Sequence, residues 1–162
     1  MAPELDETPR PAELPRLYAQ RLAREKAAAI PAPGCLVLAA DTVVAVGRRI
    51  LPKARDAAEI AACLELLSGR RHHVITAIVL LAPDATRTER VTDTAVVFTR
   101  LHPSQIAAYA ACPEGIGKAG GYAIQGRASA FVRELIGSYS GIVGLPLFET
   151  AQLLRGRGYP VP

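Results

Sequence analysis

Two long runs rich in β-branched residues occupy the middle of the chain and restrict its fold more than any other feature. They read HHVITAIVLLA at 72–82 and ERVTDTAVVFT at 89–99, and the turn-like PDAT separates them. Each run has the length and composition of a long strand. Upstream, CLVLA and TVVAV predict two shorter strands on either side of Asp41. A sheet with consecutive strands is therefore the expected framework.

Helical patterns flank these strands. Asp56, followed three residues later by Glu59, resembles a capping box, and Ser68-Gly69 ends the helix that it begins. Helices are predicted at about 14–30, 56–67, 104–112, with Ser104 as the cap, and 145–154. YAIQ at 122–125 predicts another strand, and GSYSG at 137–141 predicts a turn. The pattern indicates one domain of the α/β (mixed α+β) class.

Composition limits the classes of partner. Of the 162 residues half are hydrophobic and none is tryptophan, so Leu, Ile, Val and Ala must build the core. The formal net charge of +4 suits an anionic ligand, but no Lys/Arg block predicts a nucleic-acid tail. The three widely spaced cysteines form neither a disulfide framework nor a CxxC motif. With no signal peptide or membrane-spanning segment predicted, we expect a cytoplasmic protein without membrane partners.

A glycine-rich segment, GIGKAG at 115–120, matches GxGxxG literally. The dinucleotide-binding motif requires a strand before it and a helix after it, and this order is absent from the predicted elements. A Walker A loop is excluded as well, because Ala119 stands where a hydroxyl would bind magnesium. We expect a loop whose glycines adopt positive φ and approach other backbone closely. Spacing alone leaves open whether this loop wraps a ligand or turns a corner.

Several hydrolase templates are excluded. His72 and His73 are adjacent on a predicted strand, so they point to opposite faces and cannot chelate one metal together. GSYSG is no nucleophile elbow, because Tyr139 occupies the serine position. A hydrolase built from this chain would depend on carboxylates, lysines and a metal.

Asp41 is the best candidate carboxylate. It follows an apolar run at the expected C-terminal end of a strand, where α/β folds tend to place ligand sites. A carboxylate there can bind Mg²⁺ or activate water, and Lys26 and Lys53 could neutralise phosphate oxygens. The alternative on local pattern is that Asp41-Thr42 is a turn or bulge and both lysines are solvated.

Six segments together resemble the Maf-like nucleoside triphosphate pyrophosphatases, also called septum formation inhibitor Maf. They are LDETP, YAQRLAREKAAA, LAADTVVAVGRRILPKA, LELLSGRRHHVITA, GKAGGYAIQGRASAFV and GSYSGIVGLPLFETAQLL. The resemblance covers nearly the whole chain, 1–162, as one domain. It implies an inosine-triphosphatase-like fold, with an elongated twisted mixed sheet, flanking helices and a cleft between two lobes. It also implies a homodimer.

The resemblance further implies metal-assisted hydrolysis of a nucleoside triphosphate to the monophosphate and pyrophosphate, with Mg²⁺ or Mn²⁺. Asp41 matches the general base or metal ligand, and Asp6 a carboxylate that shares the metal. Lys26 and Lys53 match phosphate-facing lysines. Thr42 and Gln125 match positions tied to base selectivity in the branch acting on dTTP and UTP.

One expected segment is not found in this chain. Family members open with a strand and a loop of the type S-x-S-P-R-R, so the chain resembles an N-terminally truncated member. Two interpretations follow. Either the start codon is assigned too far downstream and the full protein has the usual site, or the chain is a true truncation, in which loss of arginine contacts to phosphate predicts weak turnover by the 162 residues. The alternative function is a non-catalytic nucleotide-binding regulator of cell division.

Overall fold

The computed structural model describes residues 5–161. Its framework is a five-stranded sheet with the strand order β2-β1-β3-β4-β5. The strands are β1 (Val37–Val46), β2 (Arg49–Leu51), β3 (Arg71–Leu81), β4 (Arg87–Phe98) and β5 (Val132–Ile136). The helices are α1 (Pro15–Ala28), α2 (Ala57–Leu67), α3 (Pro103–Ala110), α4 (Tyr139–Val143) and α5 (Leu147–Arg155). Short 3₁₀ turns lie at Pro113–Gly115 and Arg127–Phe131.

The two long runs form the central hairpin of this sheet. β3 and β4 pair continuously from Arg71↔Val97 to Leu81↔Arg87, as their composition predicted. β1 pairs with the other side of β3 over nine residues. The α/β class is confirmed, and every pair of strands in the described part is antiparallel where a mixed sheet was expected.

Helices cover both faces of the sheet. α1 packs Leu22 and its neighbours against Val43 and Ile75 on one face. On the other face, α2 and α3 pack over Val44 and Val74, while α5 covers Ile78 and Leu80, farther along β3. Because side chains alternate along a strand, neighbouring residues of β1 serve different layers. The gap between the helices of the second face is where the main cleft opens.

The strand that carries Asp41 differs from the prediction. CLVLA and TVVAV do not form two strands separated by an acidic turn. Val37–Val46 is one continuous strand, and Asp41 lies in its middle, opposite Ala77 of β3. A carboxylate is tolerated there because Ala77 leaves room beside it and Lys26 supplies the opposite charge. The expectation of a strand end was therefore wrong.

Among the helix caps and turns, some match the sequence predictions and others differ. Asp56 caps α2 by accepting the Glu59 amide at 2.8 Å, as predicted. α3 begins earlier than expected, because its N-cap is His102 and not Ser104. Nδ1 of His102 accepts the Ser104 amide at 3.2 Å. GSYSG is not a simple turn, because Ser138 caps α4 by accepting the Gly141 amide at 3.0 Å.

The predicted strand at 122–125 is absent and this segment is a turn. Gly120 and Gly121 precede it with φ near +69°, a conformation that interrupts an extended run. The Tyr109 hydroxyl accepts the Ala123 amide at 3.0 Å, in place of a strand neighbour. Across residues 5–161, no helix combines the length and the apolar character needed to cross a membrane.

Candidate active site

Lys26 and Asp41 form an ion pair between α1 and β1. Lys26 lies in the last turn of α1, and its Nζ is 2.5 Å from Oδ1 of Asp41. Only 6% of Asp41 is exposed. The packing of α1 on this face of the sheet, through Leu22 and Ala23, brings the helix close enough for the lysine to reach the strand interior. The structure thus joins two residues that the sequence separates by fifteen positions.

Glu7 connects this pair to Lys53. Its Oε1 lies 2.8 Å from Nζ of Lys26, and its Oε2 lies 2.5 Å from Nζ of Lys53. The segment that carries Glu7 is tied to α1, because the Tyr18 hydroxyl donates to the Glu7 carbonyl at 2.6 Å. Arg21 adds a hydrogen bond to the Thr8 carbonyl at 3.1 Å. The result is a chain of alternating charges: Asp41, Lys26, Glu7 and Lys53.

Sequence reasoning missed Glu7 and chose its neighbour Asp6. Asp6 is exposed, and its Oδ1 accepts the Thr8 amide at 2.9 Å. Hydrogen bonds from the Thr8 side chain and, to a smaller extent, from the Thr8 amide lower the pKa of Asp6. The two consecutive acids of LDETP were the available signal, but only the path of the segment past α1 decides which of them faces the lysines. That Asp6 shares a metal with Asp41 stays a prediction.

Burial and pairing shift the charges of the site in different directions. Burial raises the pKa of Asp41, and the hydrogen bond from Lys26 only partly opposes it. Burial disfavours the Lys26 ammonium, but its bonds to Asp41 and Glu7 outweigh this and raise the pKa of Lys26. For Glu7, burial opposes ionisation, yet the bonds from Lys26 and Lys53 leave its pKa lowered. Lys26, whose charged form is favoured, therefore lies between one carboxylate that ionises readily, Glu7, and one that retains its proton more easily, Asp41.

The glycine-rich loop packs beside Lys53. The Ala54 amide donates to the Lys118 carbonyl at 3.2 Å, and the Gly117 amide donates to the Ala54 carbonyl at 2.7 Å. Gly117 and Gly120 have φ of +73° and +69°, which confirms the predicted use of these glycines. The pairing brings a third lysine, Lys118, to the wall of the cleft. In the sequence, Lys118 stands out only as part of a pattern that does not fit a Walker A loop.

A cleft of about 300 Å³ runs from the lysines to the far side of β1. Its lining includes Lys26, Asp41, Thr42, Lys53 and Gln125. The structure therefore brings together five of the six predicted site residues. Asp41 and Thr42 point to opposite faces of β1, yet both line the cleft, because β2 pairs only with Val44–Val46 and ends before reaching them.

The end of the cleft away from the lysines is polar and held by buried hydrogen bonds. The Thr42 hydroxyl lies 2.9 Å from that of Thr76. The Tyr122 hydroxyl lies 2.8 Å from Nε2 of the fully buried His72. Burial lowers the pKa of His72 to about 4, so it is neutral at pH 7. Gln125 is exposed on the adjacent turn.

His73 lies on the opposite side of β3 from His72, with its Nδ1 2.6 Å from Oδ1 of Asp93. The expected separation of the two histidines is confirmed. Among residues 5–161, no group of three or more His, Cys, Asp or Glu side chains is placed to hold a metal ion.

These features combine into two chemically different ends of one cleft. The lysine end offers three ammonium groups and two carboxylates, a set suited to a phosphate chain and to proton transfer. The other end offers a hydroxyl and a carboxamide, which can read hydrogen-bonding groups. The geometry is that of a site for a small anion with a polar appendage.

Comparison with known proteins identifies a matching family and several relatives. Residues 1–157 match the family described as Maf-like protein. A protein of Paramagnetospirillum magneticum named dTTP/UTP pyrophosphatase is 60% identical over 157 residues, covering 96% of this chain and 83% of its own. Proteins of the same name from Rhodospirillum rubrum and Gluconobacter oxydans are 60% and 58% identical. They are covered over 75% and 74% of their lengths, against 96% and 95% of this chain.

Proposed function

Because the chain belongs to the Maf-like protein family, we propose that it is a hydrolase that converts dTTP and UTP to the monophosphate and pyrophosphate. The observation that carries this proposal is the buried Asp41 carboxylate beside Lys26, in a cleft that Lys53 and Lys118 also line. The names of the relatives supply the substrates. The charges supply a reason why a triphosphate would bind.

We place the triphosphate at the lysine end of the cleft. A triphosphate carries about four negative charges, and ammonium groups that are already in position stabilise further charge as the transition state forms. Lys53 is half exposed and pairs with Glu7. A bound phosphate would therefore compete with Glu7 for Lys53. The base would lie toward Thr42 and Gln125.

Asp41 is the proposed general base. Burial raises the pKa of Asp41, and a carboxylate with a raised pKa accepts a proton more readily than an ordinary one. It would take a proton from the water that attacks the α-phosphorus. The bond from that phosphorus to the bridging oxygen then breaks, and pyrophosphate leaves. Lys26 keeps Asp41 oriented by its hydrogen bond.

The residues also fit a divalent cation that arrives with the substrate. Mg²⁺ is commonly held by one or two carboxylates together with substrate phosphate oxygens and water. Asp41 and Glu7 both contact the Lys26 ammonium, so their oxygens already flank one positive charge. Asp41 and Glu7 would hold Mg²⁺ or Mn²⁺, with Asp6 nearby in sequence. When bound, the ion would supply additional neutralisation of the phosphate charge.

A nucleotide panel tests this function. Pyrophosphate release would be measured with Mg²⁺ or Mn²⁺ from dTTP, UTP, CTP, GTP and ATP. We expect dTTP and UTP to give the highest kcat/KM. Equal rates on all five nucleotides, or a preference for a purine nucleotide, would contradict the assignment. Nucleotide binding without any pyrophosphate release would support the regulatory alternative.

A further inference from the structure

We propose that the buried hydroxyl of Thr76 fixes the hydroxyl of Thr42 as a hydrogen-bond acceptor and so selects uracil or thymine over cytosine. This inference rests on the proposed function and deepens it. Thr76 is a positioning residue here, since it acts on the substrate only through Thr42.

The direction of two hydrogen bonds follows from the atoms involved. Oγ1 of Thr76 lies 2.7 Å from the Gly141 carbonyl oxygen. A carbonyl carries no proton, so Thr76 must donate at this distance. A threonine hydroxyl has a single proton, and Thr76 has then used it. At the 2.9 Å contact with Thr42, Thr76 can only accept, and Thr42 must donate.

The proton of Thr42 is thereby directed away from a ligand. Thr76 is completely buried, whereas Thr42 is partly exposed and lines the cleft. What Thr42 can offer to a bound molecule is its oxygen lone pairs. A bound molecule that places an N–H beside the Thr42 oxygen can donate a hydrogen bond to it. A molecule that places an acceptor there is disfavoured, because the lone pairs of two oxygen or nitrogen atoms then face each other.

Pyrimidine bases differ at this feature. Uracil and thymine carry a proton on N3 between two carbonyl oxygens, while N3 of cytosine is an acceptor beside an amino group. A fixed acceptor therefore favours N3–H of uracil and thymine. Gln125 cannot make this choice alone, because a carboxamide that is free to rotate presents either a donor or an acceptor. The preference for a donor on the base therefore comes from the two hydrogen bonds that run from Thr42 to Thr76 and from Thr76 to the Gly141 carbonyl.

The decisive variant is Thr76→Val. Valine has nearly the same shape but no hydroxyl, so Thr42 could rotate and donate to N3 of cytosine. The probes are the α,β-imido analogues of UTP and CTP, and calorimetry gives their dissociation constants. We expect the wild type to prefer the uridine analogue and Thr76→Val to reduce that preference about tenfold, the factor that one hydrogen bond typically contributes. Thr76→Ser keeps the hydroxyl and should keep the preference.

Thr94→Val is the matched control. Thr94 is also completely buried, and its hydroxyl accepts the Ser138 amide at 3.0 Å at the start of α4. The control therefore removes a buried hydroxyl that supports the same helix but does not contact Thr42. We expect it to lower the melting temperature without changing the ratio of dissociation constants.

Each result decides the inference. An unchanged ratio in folded Thr76→Val, or an equal fall in Thr94→Val, would overturn it. If Thr76→Val does not fold, Thr76→Ala replaces it: a retained ratio there overturns the inference, and a lost ratio supports it. Failure of the wild type to prefer the uridine analogue also overturns it. Pyrophosphate release from UTP, measured separately, reports on the proposed function, so the two can fail independently.

Discussion

The Lys26 ammonium lies between two carboxylates, 2.5 Å from Oδ1 of Asp41 and 2.8 Å from Oε1 of Glu7. These two contacts join α1, β1 and the segment that precedes α1. It combines structural and chemical roles, because the lysine neutralises a buried acid and also lines the cleft.

Lys26→Met should destabilise the fold. Removal of the ammonium leaves the buried Asp41 without its partner, and breaking a buried pair in this way costs about 3 kcal/mol at the low end of the usual range. Guanidinium unfolding measures the change. Lys26→Met combined with Asp41→Asn should recover most of the loss, because the uncompensated charge is gone.

The matched control lies on the same helix. Arg24 pairs with Glu89 at 2.8 Å, but 42% of the Arg24 side chain is exposed. Arg24→Met should cost less than about 1 kcal/mol. Equal losses for Arg24→Met and Lys26→Met would show that burial of Asp41 has no special energetic role.

The pH dependence of catalysis should follow the ionisation of Asp41. Burial raises the pKa of Asp41 above 3.8, so the acid limb of kcat/KM should have its midpoint above pH 3.8. Lys26 favours the ionised form, and Lys26→Met should move this limb to higher pH. A rate profile of both proteins with UTP measures the shift. An acid limb that stays in place or moves to lower pH would exclude Asp41 as the titrating base.

The stability of the folded chain should respond to Asp41 and Glu7 with opposite signs. A raised pKa in the folded state means that the Asp41 contribution is present below pH 3.8 and is lost as the pH rises through its folded value. The lowered pKa of Glu7 gives a contribution that is present above pH 4.5 and is lost on acidification. In unfolding measurements at several pH values, Asp41→Asn should therefore reduce the loss of stability between acid and neutral pH. Glu7→Gln should reduce the loss of stability on acidification.

Lys53→Met and Lys118→Met should weaken substrate binding. Each variant removes an ammonium group from the lysine end of the cleft, and hydrogen bonds to charged groups contribute about 1.5 to 3 kcal/mol. We expect KM for UTP to rise about tenfold or more in each variant. Arg55→Met is the control, because Arg55 pairs with Glu59 outside the cleft lining. A KM that rises equally in the control would indicate a general charge effect and not specific phosphate contacts.

Gly120→Ala should disturb the loop that carries Lys118. A Cβ at Gly120 would lie 2.8 Å from Cγ1 of the buried Val44, in addition to the strain of φ +69°. Gly117→Ala has a similar φ of +73° but meets nothing within 4 Å. We expect about 1 kcal/mol for Gly117→Ala and 2 kcal/mol or more for Gly120→Ala. Thermal unfolding checks the difference, and equal losses would mean that contact with Val44 is unimportant.

Much of the framework could be predicted from the sequence because it depends on local pattern. The β3–β4 hairpin follows from two long β-branched runs and a turn, and the cap at Asp56 follows from the spacing to Glu59. The sequence could not reveal that Asp41 lies inside a strand. An acid between apolar runs predicts a break, and only its pairing with Lys26 from another element stabilises it there.

The candidate site likewise contains residues that the sequence revealed and residues that it did not. Asp41, Lys26 and Lys53 were found through residue type and family resemblance, and the fold brings them to one cleft. Glu7 and Lys118 were missed because their positions depend on long-range contacts: Tyr18 with the Glu7 carbonyl, and the loop amides with Ala54. The local residue pattern does not predict which of two adjacent acids will face a lysine.

We propose that Asp41 performs the proton transfer in a nucleotide-hydrolysing site. Asp41→Asn has nearly the same shape, so the most direct measurement is its pyrophosphate release from UTP beside the dissociation constant of the α,β-imido analogue. We expect kcat to fall by about 10²- to 10⁴-fold while the dissociation constant changes little. Turnover within a few-fold of the wild type, in a folded variant that binds the analogue, would contradict the assignment of Asp41 as the base.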